Sequence, residues 1–140
     1  MKKLLYITLL ALVAFIGCTP DEKPMTLEQK LCNEWRGSSL AVDAAIYISF
    51  LADGTFDLYQ KMGGEFELRR GTWTLTGNVL SGKYNDGEAW AADYNVSVDG
   101  DKLTMTSQNE GAETSIYVRC SIPSVIKEGS TVVVKSMSAL

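Results

Sequence analysis

Short turns between strand-like runs are the feature that most constrains how this chain can fold. From residue 44 to residue 121, apolar and polar residues alternate with a period of two, which is typical of half-buried strands. Turn sequences containing glycine interrupt the alternation at nearly even spacing. The predicted turns are Asp53-Gly54, Gly63-Gly64, Gly77-Asn78, Asp86-Gly87, Asp99-Gly100-Asp101 and Asn109-Glu110-Gly111.

Links of this length make neighbouring strands antiparallel, because parallel strands need long crossover connections. With an opening strand over residues 35–40, the runs give about eight strands, the later ones over residues 79–84, 90–98, 103–107 and 114–121. Closure into a barrel removes the two exposed edges of such a sheet. The sequence therefore predicts an all-β fold, an up-and-down barrel of about eight antiparallel strands, with a bulge at Gly71. A two-sheet sandwich is the rival, but it needs crossings that these turns do not supply.

Helical signals occur at both ends of the strand region. Residues 25–31 form a predicted short helix, with Thr26 as its N-cap and Gln29 three residues later. Residues 26–122 are the predicted barrel domain, and residues 123–140 form a tail. Within the tail, Pro123 and Gly129 bracket a predicted helical turn, and residues 131–135 (T-V-V-V-K) have the propensity of an extra strand.

The first 17 residues have the pattern of a secretory signal peptide. Lys2 and Lys3 precede a thirteen-residue stretch, residues 4–16, which is mostly apolar and too short to span a bilayer core of about 30 Å. Cys18 directly follows Gly17, and residues 15–18 (F-I-G-C) resemble the lipobox of bacterial lipoproteins. The resemblance implies cleavage before Cys18, acylation of its thiol and attachment to a membrane. Residues 18–25 would then be a lipidated tether.

The residues after Cys18 bear on location. Residues 19–23 (T-P-D-E-K) resemble the acidic tag that directs some lipoproteins of Gram-negative anaerobes to the outer face of the outer membrane. The resemblance implies an outer-membrane protein that faces the cell exterior. A solvated tether is the other interpretation of the same residues, because proline favours extended chain and charged side chains prefer water.

Composition argues against several classes of function. Lys2 and Lys3 belong to the signal peptide, so 11 of the 13 basic residues remain against 17 acidic ones, which gives a net charge of −6 and disfavours nucleic acid as a partner. The sequence has no histidine, which excludes Ser-His and Cys-His catalytic pairs and His-ligated metals. With Cys18 acylated, two cysteines are too few for a thiolate zinc site. We therefore expect no enzymatic activity, cofactor or metal.

Several motifs, in order, resemble those of small lipocalin-like lipoproteins of bacteria. They are residues 31–37 (L-C-N-E-W-R-G), 50–56 (F-L-A-D-G-T-F), 71–80 (G-T-W-T-L-T-G-N-V-L), 101–106 (D-K-L-T-M-T) and 117–119 (Y-V-R). Asn33 stands where that family usually has a glycine two positions before the Trp. The resemblance spans residues 27–122 and implies a lipocalin-like barrel. That group largely lacks an assigned activity.

An eight-stranded barrel is wide enough either to fill with side chains or to hold one small ligand. The predicted interior and ligand-contacting residues are Trp35, Phe50, Phe56, Trp73, Trp90, Ala92 and Tyr94. Three functions stay open: a filled structural core, a cavity for a small apolar molecule, and an accessory subunit that docks its outer face on a cell-surface complex.

The remaining cysteines, Cys32 and Cys120, lie on the first and last predicted strands. Barrel closure would bring these strands together, and the compartment is oxidising enough for a disulfide. Against a bridge, Cys120 is in phase with Ile116 and Val118, whereas Cys32 is out of phase with Trp35. The sequence leaves the disulfide open.

Overall fold

Hairpins join most of the strands, as the turn sequences predict. The computed structural model describes residues 23–38 and 46–134; the predicted signal peptide, Cys18 and most of the predicted tether lie outside these ranges. The elements are α1 (Leu27–Leu31), β1 (Glu34–Gly37), β2 (Ile46–Phe50), β3 (Thr55–Met62), β4 (Glu65–Thr76), β5 (Val79–Tyr84), β6 (Tyr94–Asp99), β7 (Lys102–Ser107), β8 (Thr114–Arg119), α2 (Ser124–Gly129) and β9 (Thr131–Val132).

The first eight strands close into an antiparallel barrel. Each strand from β1 to β7 pairs with the next one in the chain, and β1 also pairs with β8. Trp35 of β1 lies opposite Ile48 on one side and Arg119 on the other, which fixes the register at the closing seam. The predicted eight-stranded up-and-down barrel is confirmed.

The predicted bulge at Gly71 is wrong. Strand β4 runs unbroken from Glu65 to Thr76, and its register with β3 advances one residue at a time through the Phe56–Gly71 pair. Close packing accounts for the glycine instead. A Cβ atom on Gly71 would lie 1.8 Å from the Lys83 carbonyl oxygen and 2.9 Å from Cε1 of Phe56.

Strand β6 begins at Tyr94, four residues later than its predicted start at Trp90. Residues 85–93 form a connection whose chain stays close to β5. The backbone N–H of Trp90 donates to the Gly82 carbonyl oxygen at 2.9 Å, and Lys83 and Ala89 form an isolated antiparallel β-bridge. Buried and exposed residues alternate from Trp90 to Val96 as predicted, although residues 90–93 lie before the strand begins.

Helix α1 covers one end of the barrel. Its N-terminus carries the predicted capping box, in which Thr26 and Gln29 exchange side-chain to backbone hydrogen bonds. Leu31 is fully buried in the interior, and its carbonyl oxygen accepts a hydrogen bond from Nε1 of Trp35 at 3.0 Å. Among the described residues, no helix is long and apolar enough to cross a membrane.

The C-terminal segment packs outside the barrel wall. Strand β4 is twice as long as β5, and β9 pairs in parallel with the part of β4 that β5 leaves uncovered, at Glu67 and Leu68. Helix α2 is held by Lys127, whose amine donates to the Glu34 carboxylate. This hydrogen bond raises the pKa of Lys127. A second, outer apolar cluster lies between α2 and the barrel wall. It consists of Ile126 of α2 with Tyr47, Tyr59, Phe66, Leu68, Cys120 and Ile122.

Candidate ligand-binding site

The half of the barrel interior next to α1 is filled with side chains. Trp35, Phe50, Phe56 and Trp73 are all buried there, as the alternation predicts. They pack with the remaining interior residues Leu31, Ile48, Leu58, Leu80, Tyr84, Trp90, Val96, Leu103, Met105 and Tyr117. These four predicted ligand-contacting residues therefore contribute to the core.

Two of the three indoles hydrogen-bond to the backbone. Trp35 donates to the Leu31 carbonyl oxygen, and the guanidinium carbon of Arg119 lies 5.6 Å from the centre of its ring. Trp73 donates to the carbonyl oxygens of Thr55 at 2.9 Å and Leu51 at 3.2 Å. These bonds hold both rings in place, so Trp35 and Trp73 have structural roles.

Trp90 differs from the other two. Its ring contacts Phe56 and Tyr94 edge-on, with centroid distances of 5.2 Å and 6.1 Å, and it lies over Gly82. The side chain is 5% exposed, yet its buried Nε1 atom has no hydrogen-bond partner within residues 23–38 and 46–134. A buried donor left in this state is rare in proteins and calls for an explanation.

A cavity of about 370 Å³ opens at the end of the barrel opposite α1; we call it the mouth cavity. The Cys120 N–H donates to the Glu34 carbonyl oxygen, so β8 ends beside α1 and starts at the far end. The cavity is lined there by Ala91, Ala92, Tyr94, Ser107, Asn109, Glu110, Gly111, Glu113 and Ser115. The structure thus brings together Ala92 and Tyr94 of the predicted site, with Trp90 directly behind Tyr94.

The inner wall above the aromatic core is polar, which the sequence reasoning missed. Gln60, Glu67 and Arg69 have the same strand phase as the interior residues Phe56 and Leu58 of β3 and Trp73 of β4. Arg69 is 4% exposed and its Nη2 atom lies 2.9 Å from the Glu67 carboxylate. The sequence carries a signal for this polar wall, since Gln60 continues the alternation of Phe56 and Leu58.

The hydroxyls of two interior tyrosines, Tyr94 and Tyr117, stay protonated at neutral pH. Burial is the main reason that the pKa of Tyr94 is raised above its usual range, and the neighbouring Tyr84 and Glu113 raise this pKa further. Burial also raises the pKa of Tyr117 strongly. Tyr94 therefore presents a neutral hydroxyl in the lining of the mouth cavity.

Two further hollows lie on the outside of the barrel. One, of about 390 Å³, is bordered by Thr72, Thr74 and Lys83 on β4 and β5. The other, of about 480 Å³, lies between Phe66 of β4 and Val125 of α2. Within residues 23–38 and 46–134, no group of three or more acidic or cysteine side chains is arranged to hold a metal ion.

Cys32 and Cys120 are free thiols in the structure, so the disulfide that the sequence left open is not formed there. Cys32 packs against the interior cluster, whereas Cys120 packs against the outer cluster. The two thiols thus face opposite sides of the barrel wall. Burial raises the pKa of each thiol above its ordinary value.

Comparison with known proteins identifies the family. No curated protein and no solved structure matches the chain significantly. The family model described as a lipocalin-like domain matches residues 33–105, which is just over half of the chain and extends from β1 through most of β7. Given this match and the closed barrel of eight antiparallel strands, the chain belongs to the lipocalin-like domain family.

Proposed function

We propose that this protein binds a small, largely apolar molecule in the outer half of its barrel, and that the molecule enters through the mouth cavity. The observation that carries the proposal is the position of Ala92, which is 8% exposed and lies beside Tyr94 in the lining of that cavity. A larger apolar side chain here would fill space that alanine leaves open. The lipocalin-like fold is compatible with such binding.

The size of the cavity limits the ligand. A volume of about 370 Å³ is at the low end of the range for ligand pockets, roughly 300–1,000 Å³. The aromatic core below it is closely packed, so a ligand does not reach the α1 end. We therefore infer a compact molecule or a short chain, with an apolar part against Ala92 and Tyr94.

Fluorescence tests this function. Residues 19–140 contain every described helix and strand, and we call this chain without its signal peptide and Cys18 the soluble form. The neutral probe N-phenyl-1-naphthylamine should quench its tryptophan emission saturably, because Trp90 lies behind Tyr94. Quenching that rises linearly with probe concentration would contradict a defined site.

We further propose that Cys18 is acylated and anchors the protein in the outer membrane, with the barrel facing the cell exterior. The position of α1 supports this orientation. The tether would join the barrel at the end that α1 covers, so the mouth cavity at the opposite end would face away from the membrane. Palmitate labelling of the wild type and its loss in Cys18→Ala test the anchor. An unlabelled wild type that keeps Met1 would contradict it.

Antibody labelling of intact cells tests whether the barrel faces the cell exterior. An antibody to the barrel should label intact cells, and replacing Asp21 and Glu22 with Ala should abolish that labelling while palmitate incorporation continues. Equal labelling of the double variant would mean that the two acids belong to the tether alone.

The second candidate function is docking on a protein of a cell-surface complex. It is favoured by the apolar surface around α2, where Val125 is 73% exposed and borders the hollow beside Phe66. Exposed apolar patches of this kind mark interaction sites when they are contiguous. Val125→Glu should then release the protein from its partner without changing probe binding, whereas an unchanged association would exclude this face.

A further inference from the structure

The lining of the mouth cavity carries charge of one sign only. Glu110 and Glu113 lie in it, and its nine lining residues include no lysine or arginine. Neither carboxylate forms an ion pair within residues 23–38 and 46–134, whereas Glu67 on the opposite wall pairs with Arg69. The two carboxylates are therefore open to a cation that comes from outside the chain.

The backbone holds Glu113 at the edge of the cavity. Its N–H donates to the Ser107 hydroxyl at 3.0 Å, and its carbonyl oxygen accepts from the Ser107 N–H at 2.9 Å. After burial and Tyr84, the charge of Glu113 is the third cause of the raised pKa of Tyr94. The Glu113 carboxylate thus lies near enough to the Tyr94 hydroxyl to act on it, within one lining.

Ala92 and Tyr94 supply the apolar part of the same lining. The Tyr94 ring is partly buried and contacts Trp90 edge-on, with a centroid distance of 6.1 Å. Ammonium groups are attracted both to carboxylates and to the faces of aromatic rings. Carboxylates next to an aromatic ring and a small apolar residue therefore favour a ligand with a cationic end and an apolar chain.

The same lining disfavours the other charged ligands. An anion would enter past two carboxylates without gaining a cation. A metal ion would find too few ligands, because no group of three or more acidic or cysteine side chains is arranged to hold one among the described residues. A primary ammonium group matches the carboxylates, since it has three hydrogen-bond donors and they only accept.

We propose that the ligand is an amphipathic primary amine, bound as its ammonium form. Its nitrogen donates to the carboxylates of Glu110 and Glu113, and its apolar chain contacts Ala92 and Tyr94. An alkyl ammonium like that of lysine has a pKa of about 10.4, so the ligand is positively charged at neutral pH. This inference rests on the proposed binding function and names its ligand class.

Competition for N-phenyl-1-naphthylamine on the soluble form tests the inference. The competitors are octylamine, 1-octanol and octanoate, which share one chain length and carry a positive, a neutral and a negative end. We expect octylamine to bind at least about tenfold more tightly than octanol, because hydrogen bonds between charged groups are the stronger ones, and octanoate to bind most weakly. Binding of octanol or octanoate as tight as that of octylamine would overturn the inference while leaving apolar binding intact.

Variants assign the preference to the two carboxylates. Glu110→Gln combined with Glu113→Gln removes both charges at nearly unchanged size, and should weaken octylamine binding at least about tenfold more than octanol binding. The matched control combines Glu28→Gln with Glu128→Gln, which removes two charges from exposed positions on α1 and α2, outside the cavity, and should keep the wild-type preference.

Urea unfolding without ligand shows that each double variant folds. An unchanged preference for octylamine in the folded Glu110 and Glu113 variant, or an equal loss in the control, would overturn the inference. Absence of saturable probe binding by the wild type, together with no competition by any of the three compounds, would instead overturn the proposed function itself.

Discussion

The indole of Trp90 lies directly on Gly82, so close that a Cβ atom on Gly82 would be 2.2 Å from Cε2 of the ring. The backbone joins the same two residues, since the Trp90 N–H donates to the Gly82 carbonyl oxygen. The absence of a side chain at Gly82 is therefore what admits Trp90 from the β5–β6 connection into the barrel interior.

Gly82→Ala should displace Trp90 and destabilise the barrel by about 1–3 kcal/mol, the usual cost of overpacking a core. Urea unfolding of the soluble form measures this loss, and weaker probe binding should accompany it. Gly129→Ala is the matched control, because a Cβ there meets no atom within 4 Å. Equal stability of Gly82→Ala and the wild type would contradict the close contact.

Among the described residues, the indole of Trp35 is hydrogen-bonded and that of Trp90 is not, so replacing each by Phe should lower the free energy of unfolding by different amounts. Trp35→Phe removes the indole hydrogen bond to the Leu31 carbonyl oxygen, which still accepts from the Asn33 N–H, so it should lose about 0.5–1.5 kcal/mol beyond the cost of the smaller ring. Trp90→Phe removes a donor that has no partner among the described residues, and should lose only the cost of the smaller ring. Chemical denaturation of both variants without ligand compares them. A larger loss for Trp90→Phe would contradict the assignment.

The sequence predicted the barrel well because alternation and turn residues are local signals. The Asp53-Gly54 turn shows this, since the Asp53 carboxylate accepts hydrogen bonds from the N–H and hydroxyl of Thr55 two residues on. These bonds lower the pKa of Asp53. Each member of the turn could be identified from its neighbours alone.

The site was predicted only in part, because strand phase shows which way a side chain faces but not how full the space is. Phase correctly put Trp73 and Trp90 inside, yet packing with Phe50 and Phe56 decides that they belong to a filled layer. The predicted bulge at Gly71 was wrong for a similar reason, since the role of this glycine depends on a close contact with Lys83 that no local pattern encodes. The contact between Gly82 and Trp90 is likewise invisible in the local sequence.

Alkaline pH should destabilise the barrel through its buried phenols. Burial raises the folded-state pKa of Tyr117 above that of the unfolded chain, so its contribution is fully present below about pH 10 and is lost as the pH rises towards the folded value. The loss is about 1.4 kcal/mol for each pH unit in that interval. Urea unfolding at pH 8 and pH 11 should show a smaller decrease for Tyr117→Phe than for the wild type. Equal decreases would contradict the burial of this hydroxyl.

Thiol titration tests the state of the cysteines. The soluble form should give two reactive thiols per chain in denaturant without reductant, because Cys32 and Cys120 face opposite sides of the wall. In the native state both should react slowly, since burial raises the pKa of each thiol and lowers its thiolate fraction. Thiols that appear only after reduction would mean that the bridge forms.

Filling the mouth cavity tests the central claim most directly. Ala92→Trp places a large ring where Ala92 lines the cavity, and Ala52→Trp places the same ring in the exposed β2–β3 turn at the other end of the barrel. Titration of both variants of the soluble form with N-phenyl-1-naphthylamine, following the probe's own emission, compares them with the wild type. The account predicts saturable binding in the wild type and in Ala52→Trp, and its loss in a folded Ala92→Trp. Undiminished binding in Ala92→Trp would contradict a ligand site in the mouth of this barrel.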